Sequence, residues 1–284
     1  MRNEYKRSDI FLCTNRAHAR FGKRVSVYHV LKVRKCYPNG CVYFYWRCKK
    51  LNKGESCPRG YSHVGRKCFG CKEFYDVKIT NHLQLAVDSS GWENFRRDLE
   101  DFENWVQEVQ GKELSINGRI DGVKPHVVRS NGAGLSLRGF ILTFREVFID
   151  RTHFEDFAYA DVSVAQMRRY RFSPGDRMEF LASVQLDQGR VVFRKLHRIE
   201  FDEHQPNRKW NETDTVVSVS TAAELPGQPE KCHFCPHGVL VDVKGYGGNG
   251  NEGRRLYCLE GVRDPEECPL AVLDRLNGDA CPRE

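Results

Sequence analysis

Two groups of cysteines carry the spacings in this sequence that could bind a metal ion. The chain has 284 residues and 12 cysteines, and a cysteine-free stretch of 160 residues separates Cys71 from Cys232. Each group holds one Cys-x-x-Cys pair, Cys68/Cys71 or Cys232/Cys235. At this spacing two thiolates can bind the same tetrahedral ion. We therefore predict a metal-binding module on each side of a core without cysteine.

The C-terminal cysteines predict a zinc ribbon over residues 231–284. Its four thiolate ligands would be Cys232, Cys235, Cys258 and Cys268. The nine residues between the last two are more than a standard knuckle contains. The ribbon strands would be Val239–Val243 and Arg254–Tyr257, and the glycine-rich residues 245–253 would form their hairpin tip. His233 and His237 are alternative ligands, and Cys281 is given no role.

The N-terminal group contains more thiols than one metal site needs. The preferred set of ligands is Cys48, Cys57, Cys68 and Cys71. Cys36 and Cys41 would then form a second site with Cys13 and with His18 or His29 as a further ligand. A second partition, in which Cys36 and Cys41 share an ion with the Cys-x-x-Cys pair, stays equally open.

Zinc is the metal that these thiols favour, because both modules look like small folding clips. An iron–sulfur cluster is the alternative at the N-terminal module, since thiolates alone do not distinguish the two. A disulfide framework is the other alternative, but it is typical of short secreted chains. No apolar signal region precedes residue 30, and no stretch approaches the roughly 18 apolar residues of a membrane span. We therefore expect a cytoplasmic protein whose clustered thiols are ligands.

The positive charge is concentrated in the first module. Residues 1–80 hold 19 Lys or Arg against 5 Asp or Glu, a net charge of +14, whereas the remaining residues have a net charge of −7. Such a basic surface, interleaved with aromatic rings, favours single-stranded RNA or DNA, because cations neutralise phosphates while bases stack on rings. The residues expected to make these contacts are Lys35, Tyr43, Tyr45, Arg47, Lys49, Lys50 and Arg66.

Two other interpretations of the basic module remain open. An acidic patch on a partner protein could satisfy the same charge. In the second interpretation Val42–Trp46 is a buried strand, and the lysines around it are merely solvated.

The elements that must position these groups follow from periodicity. Apolar residues at steps of three and four predict a helix over about residues 91–110, with Ser89 and Ser90 as N-cap candidates and Gly111 as its end. Five strands are expected between residues 113 and 203, the first of them interrupted by Gly118. They are Leu114–Ile120, Gly139–Ile149, Tyr159–Val164, Arg177–Leu186 and Arg190–Phe201. Five strands in about 90 residues predict a small closed barrel such as an OB-fold.

A resemblance to a known family lies in this region, over roughly 40 residues. The stretch Asp161–Asp176 resembles the cold-shock-type RNA-binding domain of transcription termination factor Rho. The matching positions are Val162, Ser163, Gln166, Met167, Arg168, Arg169, Tyr170, Phe172, Gly175 and Asp176.

The resemblance implies that single-stranded RNA is held by aromatic residues on the second and third strands. Phe140 and Phe144 are the nearest equivalents, although residues 139–144 depart from the family's Gly-Phe-Gly-Phe motif. Arg168 and Arg169 are further candidates for nucleic-acid contacts. The ATPase of that family is not implied, since the chain has no Gly-x-x-x-x-Gly-Lys-Ser/Thr loop.

The predicted fold is mainly β and multi-domain. A basic metal-binding module (1–88) is followed by an amphipathic helix (89–111), an OB-fold (112–203), a linker (204–230) and a zinc ribbon (231–284). Thr215–Thr221 could add an edge strand within the linker. No catalytic motif is present, so we expect a non-enzymatic nucleic-acid-binding protein. The alternative is a protein-interaction adaptor whose ribbons and barrel dock onto a larger nucleic-acid-processing machine, with the C-terminal ribbon as one surface for protein partners.

Overall fold

The computed structural model describes residues 1–15, 24–130, 134–206, 210, 212–226, 229–243 and 253–269. The fold is mainly β, as predicted, and its strands form one large sheet and two small ones. The chain divides into an N-terminal unit, Tyr5–Arg97, and a C-terminal unit formed by Met1–Glu4 and Asp98–Glu284. Within the described ranges no helix combines the length and the apolar character needed to cross a membrane.

The N-terminal unit contains two small antiparallel sheets. Its described strands are β1 (Phe11–Leu12), β2 (Arg24–Val25), β3 (Cys41–Cys48), β4 (Phe74–Asn81) and β5 (Gln84–Leu85), and the short helix α1 (Lys49–Asn52) follows β3. β1 lies between β2 and β5, whereas β3 pairs only with β4. Phe11 is fully buried and packs against the rings of Tyr37, Trp92 and Phe95. This aromatic cluster is the core of the three-stranded sheet.

The predicted amphipathic helix is α2 (Ser89–Val109), which spans the boundary between the two units. Ser89 and Ser90 were expected to cap it, but the cap is Asp88, whose carboxylate accepts the backbone N–H of Gly91 at 2.7 Å. Gly111 follows the helix with a φ of +79°, as expected for a residue that ends it. In the second half of α2, Trp105 stacks on Phe154 with ring centroids 5.5 Å apart.

The large sheet belongs to the C-terminal unit and contains nine strands. They are β6 (Glu113–Arg129), β7 (Leu135–Ile149), β8 (Thr152–Phe154), β9 (Ala158–Ser163), β10 (Arg177–Asp187), β11 (Arg190–Glu203), β12 (Ala223–Glu224), β13 (Gly238–Val243) and β14 (Gly253–Cys258). Their order is β12-β14-β13-β6-β10-β11-β9-β7-β8, and β6 also pairs with β7. The pairings of β6, β10, β11, β9 and β7 therefore form a closed cycle.

Aromatic side chains fill the core of these five strands. Phe144, Phe180 and Phe193 are buried, with ring centroids 5.9 to 6.2 Å apart. Gly118 lies where the β6–β7 register shifts, and a Cβ there would come within 2.7 Å of the Val147 side chain. The expected interruption at Gly118 is therefore an irregularity within one long strand, which continues to Arg129 instead of ending near Ile120.

The segment between β9 and β10 contains helix α3 (Val164–Tyr170). Ser163 and Gln166 form a reciprocal capping box, and Met167 is buried. After the helix, the buried carboxylate of Asp176 accepts the backbone N–H groups of Ser173 and Gln205, both at 2.8 Å. These contacts hold the turn that leads into β10.

The segment predicted as a linker contains regular structure. Helix α4 (Glu212–Thr221) replaces the edge strand expected at Thr215–Thr221. Thr215 and Val219, one helical turn apart, are buried, and Val219 packs in an apolar cluster with Val127 and Val241. Packing of this face overrides the β-propensity of the valines and threonines. Strand β12 then pairs with β14, and residues 207–209, 211 and 227–228 lie outside the described part.

Strands β13 and β14 form the hairpin expected near the C-terminus, with its tip at residues 244–252 outside the described residues. β13 also pairs in parallel with β6, through Asp242 opposite Val128 and Val243 opposite Arg129. The C-terminal hairpin therefore extends the large sheet instead of forming a sheet of its own.

A buried ionic network crosses this junction. His126 lies between two carboxylates, with Nδ1 3.0 Å from Asp161 and Nε2 3.1 Å from Asp242. Burial alone would lower the pKa of His126, but its hydrogen bonds to the two carboxylates raise it above the usual value. The pKa of Asp242, which burial alone would raise, is lowered to about 2 by His126 and Arg254. The imidazolium form of His126 therefore stabilises the fold.

This network predicts a pH-dependent effect of His126→Gln. Because the folded-state pKa of His126 is raised above 6.5, its stabilisation is complete below that pH and is lost as the pH rises through the folded pKa. We expect the melting temperature of the variant to fall furthest below wild type at about pH 5, with a smaller gap at about pH 9. The measurement is thermal unfolding followed by circular dichroism.

His197→Gln is the matched control, since His197 is an exposed histidine 3.4 Å from the exposed Glu113. An exposed pair of this kind contributes at most about 1 kcal/mol, so its effect should be small at every pH. A His126→Gln gap that does not change with pH would contradict the assigned imidazolium.

Candidate functional site

The ribbon formed by β3 and β4 carries the first cysteine cluster at its tip. The two strands pair in register from Cys41 opposite Asn81 to Cys48 opposite Phe74. Residues 49–73 form the tip, and Lys49 N–H donates to the carbonyl of Glu73 at 2.9 Å. Directly opposite residues share a face, so each face of this two-stranded ribbon has a fixed set of side chains.

Four thiols converge inside the tip. A cavity of about 20 Å³, enough for one water-sized occupant, is lined by Cys48, Cys57, Cys68 and Cys71. These are the four residues of the preferred N-terminal set. Tight turns present three of them, since Gly60 N–H donates to the carbonyl of Cys57 and Cys71 N–H to that of Cys68. The alternative partition, in which Cys68 and Cys71 join Cys36 and Cys41, stays a prediction.

Backbone amides stabilise negative charge on one of these thiols. The N–H groups of Arg59 and Tyr61 hydrogen-bond to Cys57 and hold the pKa of its thiol below the usual value. A thiolate is the form that binds a metal ion. In the described part of the chain, however, no three His, Cys, Asp or Glu side chains are arranged to hold an ion as they stand. All described cysteines are free thiols.

A second cluster lies deeper in the N-terminal unit. Cys13, Cys36 and Cys41 are buried, and burial followed by the proximity of the other two raises the pKa of Cys36. The side-chain amide of Asn15 donates to the sulfur of Cys41 at 3.1 Å. His29 lies in a π-helical turn before Cys36, whereas His18, the other proposed ligand, lies outside the described residues.

The C-terminal cysteines form the third cluster. Cys232 lies in the short helix α5 (Glu230–Phe234), Cys258 ends β14, and Cys268 follows a 3-10 turn. Burial is the main cause that raises the pKa of Cys232, and its three partner thiols, beginning with Cys235, raise it further. Cys232 therefore lies near enough to the other three cysteines predicted for the ribbon to be affected by their charge. His237, one of the alternative ligands, pairs instead with Glu260 at 2.7 Å.

Lys124 fixes the turn that carries the first two of these cysteines. Its ammonium donates to the carbonyls of His233, Cys235 and Gly238 at 2.7 to 2.9 Å. Burial lowers the pKa of Lys124 to about 8, although the nearby Cys235 thiol acts in the opposite direction. Three converging carbonyls satisfy all three donors of a buried ammonium, so the cluster is anchored to β6.

The nucleic-acid candidates of the N-terminal unit lie mostly at its surface. Lys35, Arg47, Lys49 and Arg66 are exposed, and Lys50 is half-buried. Tyr43, Tyr45 and Arg47 share one face of the ribbon, with the Arg47 guanidinium 4.3 Å from the centre of the Tyr45 ring.

The nucleic-acid-binding candidates in the C-terminal unit are either buried or engaged in contacts within the unit. Phe140 and Phe144 are 1% and 0% exposed, so neither ring offers a face to a base, and both are removed from the set of contact residues. They point into the core because period-two alternation places them on the inner side of β7. Arg168 and Arg169 are exposed, but the first pairs with Glu212 and the second lies over the Tyr170 ring.

Sequence reasoning left three exposed rings of the N-terminal unit out of the contact set. Phe44 and Trp46 are 57% and 38% exposed on the face of β3 opposite Tyr43 and Tyr45, and Phe69 is 52% exposed. Their exposure contradicts the interpretation of Val42–Trp46 as a buried strand. The alternation of residues along β3 showed which side chains share a face. It did not show that β3 pairs with one strand and that no further layer of the described residues covers this face.

The turn that holds the C-terminal cysteines predicts the effect of Gly238→Ala. A Cβ at Gly238 would lie 1.7 Å from the carbonyl oxygen of Cys232, so the backbone must move. We expect the free energy of unfolding to fall by about 1–3 kcal/mol, measured by urea denaturation. Gly134→Ala is the control, because nothing lies within 4 Å of its added carbon, and its effect should stay within about 0.5 kcal/mol. Equal stability of the two variants would disprove this close approach.

The chain matches no protein-family model, and no curated protein or solved structure is similar enough to count as a match.

Proposed function

We propose that this protein binds single-stranded RNA or DNA and catalyses no reaction. The observation that carries the proposal is the basic, aromatic ribbon. Residues 41–81 hold nine Lys or Arg against three Asp or Glu, and rings are exposed on one of its faces and half-buried on the other. Cations beside exposed rings suit a strand whose phosphates require neutralisation and whose bases are free to stack.

Zinc is proposed at the thiol clusters. The cavity lined by Cys48, Cys57, Cys68 and Cys71 contains the donor set of a structural four-thiolate site. Cys232, Cys235, Cys258 and Cys268 would hold a second ion. Bound zinc would supply folding free energy, on the order of 10 kcal/mol per structural site, and no reactive position. The Cys13, Cys36 and Cys41 cluster is a further candidate, for zinc or for an iron–sulfur cluster.

We also propose that residues 112–203 form an OB-fold. Support comes from the closed cycle of pairings among β6, β7, β9, β11 and β10, and from the position of α3 in the chain between β9 and β10. The OB-fold is a five-stranded Greek-key barrel, and it binds oligonucleotides in many proteins. The resemblance of Asp161–Asp176 to the RNA-binding domain of the Rho family points the same way.

Metal content gives a direct test of the proposed zinc sites. Purified protein should contain at least two zinc ions per chain, measured by plasma mass spectrometry. Iron in addition to these two ions would indicate an iron–sulfur cluster at Cys13, Cys36 and Cys41. Cys68→Ser should remove one equivalent, because a site with three thiolates binds far more weakly. Cys281→Ser, at a cysteine without a proposed role, should retain the full content. A metal-free, folded wild-type protein would refute the zinc proposal.

Binding itself is tested by fluorescence anisotropy with labelled oligonucleotides of RNA and DNA of equal length. The metal-loaded protein should bind at about 50 mM salt and lose affinity steeply as salt is raised. Neutralising one phosphate contact, as in Lys49→Gln, should lower the slope of log K against log salt by about 0.7. Failure of both RNA and DNA to bind at the lower salt would refute the proposed function.

A protein-interaction adaptor is the second candidate, and exposed aliphatic groups favour it. Val216 and Val217 are 50% and 58% exposed on α4, which suits a protein partner better than a nucleic acid. A four-residue charge reversal at Lys35, Arg47, Lys49 and Lys50 separates the two candidates. If the wild-type protein does not bind nucleic acid and the four-residue variant loses a protein complex, the adaptor is favoured.

A further inference from the structure

One face of the β3–β4 ribbon presents a row of uncovered rings. Val42, Phe44 and Trp46 occupy alternate positions of β3, and each is more than a third exposed. Phe69, from the tip, meets Trp46 edge to face with centroids 4.9 Å apart. Three aromatic side chains held open to water in a small sheet cost free energy unless a ligand covers them.

The row is bordered by an open cleft. About 500 Å³ of space lies beside Phe44, Tyr45, Trp46 and Arg47, and residues of the tip form its other wall. Three of those tip residues, Leu51, His63 and Val64, also line the cavity of the four thiols. The wall of the cleft is therefore the outer side of the thiol cavity, and a change in that cavity changes the cleft.

The charges around this exposed face indicate which kind of ligand binds there. Lys78 lies directly opposite Phe44 and Asp76 directly opposite Trp46 on the same face, and Arg47 lines the cleft. The nine Lys or Arg of residues 41–81, against three Asp or Glu, give the ribbon its net positive charge. A second exposed ring, Phe148 on β7, gives a comparison because it is 52% exposed, as is Phe69.

Two carboxylates lie close to Phe148, although one of them, Glu155, also pairs with Arg2 at 3.6 Å. The ring of Phe148 stacks on His153, which lies within 3.6 Å of the carboxylates of Glu146 and Glu155. An anionic strand is repelled there, whereas the ribbon attracts it.

We propose that a single-stranded polynucleotide stacks its bases on Phe44, Trp46 and Phe69, and that the thiol cavity beneath the cleft must be intact for this face to bind. The inference rests on the proposed function and adds to it the binding face and its dependence on Cys48, Cys57, Cys68 and Cys71. The C-terminal thiol cluster is not part of this site.

Substitution of Trp46 tests the stacking. Trp46→Leu keeps an apolar side chain but removes the ring, and it should weaken binding of labelled RNA or DNA about 5- to 100-fold. Trp46→Phe keeps a ring and should retain affinity within about threefold. Metal content and circular dichroism establish that each variant is folded. Full affinity in Trp46→Leu would overturn the stacking face and would favour an apolar contact with a protein.

The matched pair Phe69→Leu and Phe148→Leu locates the face. These rings are equally exposed, so equal surface is removed, and only Phe69→Leu should weaken binding. The reverse result would move the face to the C-terminal unit and overturn this inference, while the proposed function would stand. Absence of binding by the wild-type protein would defeat the proposed function and the inference together.

A second pair tests the dependence on the thiol cavity. Cys57→Ser should lower affinity at least about tenfold, because the shared wall loses its support, whereas Cys268→Ser should leave affinity unchanged. Wild-type affinity in Cys57→Ser would overturn the coupling. Parallel losses in both variants would assign binding to the metal modules generally and would also overturn it.

Discussion

A two-stranded β-sheet with water on both faces is at most marginally stable, and the β3–β4 ribbon is such a sheet. Its backbone pairs for eight residues, but its rings lie outside any core, so hydrophobic burial contributes little to its stability. We propose that metal binding by the four thiols at the tip adds the stability that this ribbon lacks. In this account the proposed binding face depends on the thiols, because they fix the element that presents Phe44, Trp46 and Phe69 to solvent.

The C-terminal cysteines act in a different setting. Their hairpin pairs with β6 and adds to the large sheet, and Lys124 anchors their turn through three carbonyls. His126 and its carboxylates join β6, β9 and β13 at the same junction. This cluster therefore lies on a folded support, and loss of the proposed metal would leave the pairings of the large sheet in place. The thiol cluster at the ribbon tip and the C-terminal cluster thus differ in how much of the surrounding structure relies on them.

The sequence was sufficient to predict the helices and strands whose conformation depends mainly on neighbouring residues. The apolar spacing of α2 and the glycine-rich stretch between β13 and β14 were sufficient, and Gly111 ends the helix as expected. α4 was missed because its valines and threonines favour a strand, and only packing of Val219 against distant strands makes it a helix.

Burial was harder to predict than conformation. Phe44 and Phe144 both lie in alternating strands, yet the first is exposed and the second is in the core. Alternation tells which residues share a face, but what covers that face depends on strands far away in the chain. The four-thiol set at the ribbon tip was preferred from spacing alone, and only the pairing of β3 with β4 brings Cys48 beside the other three.

The central claim is that metal at the ribbon tip creates the nucleic-acid face. The most direct measurement titrates cobalt into metal-free Cys268→Ser protein while thiolate-to-cobalt absorption and oligonucleotide anisotropy are recorded on the same sample. The account predicts that affinity for single strands rises in step with the absorption of a tetrahedral thiolate site. Full affinity before any cobalt is added, or saturation of the absorption without any gain in affinity, would contradict it.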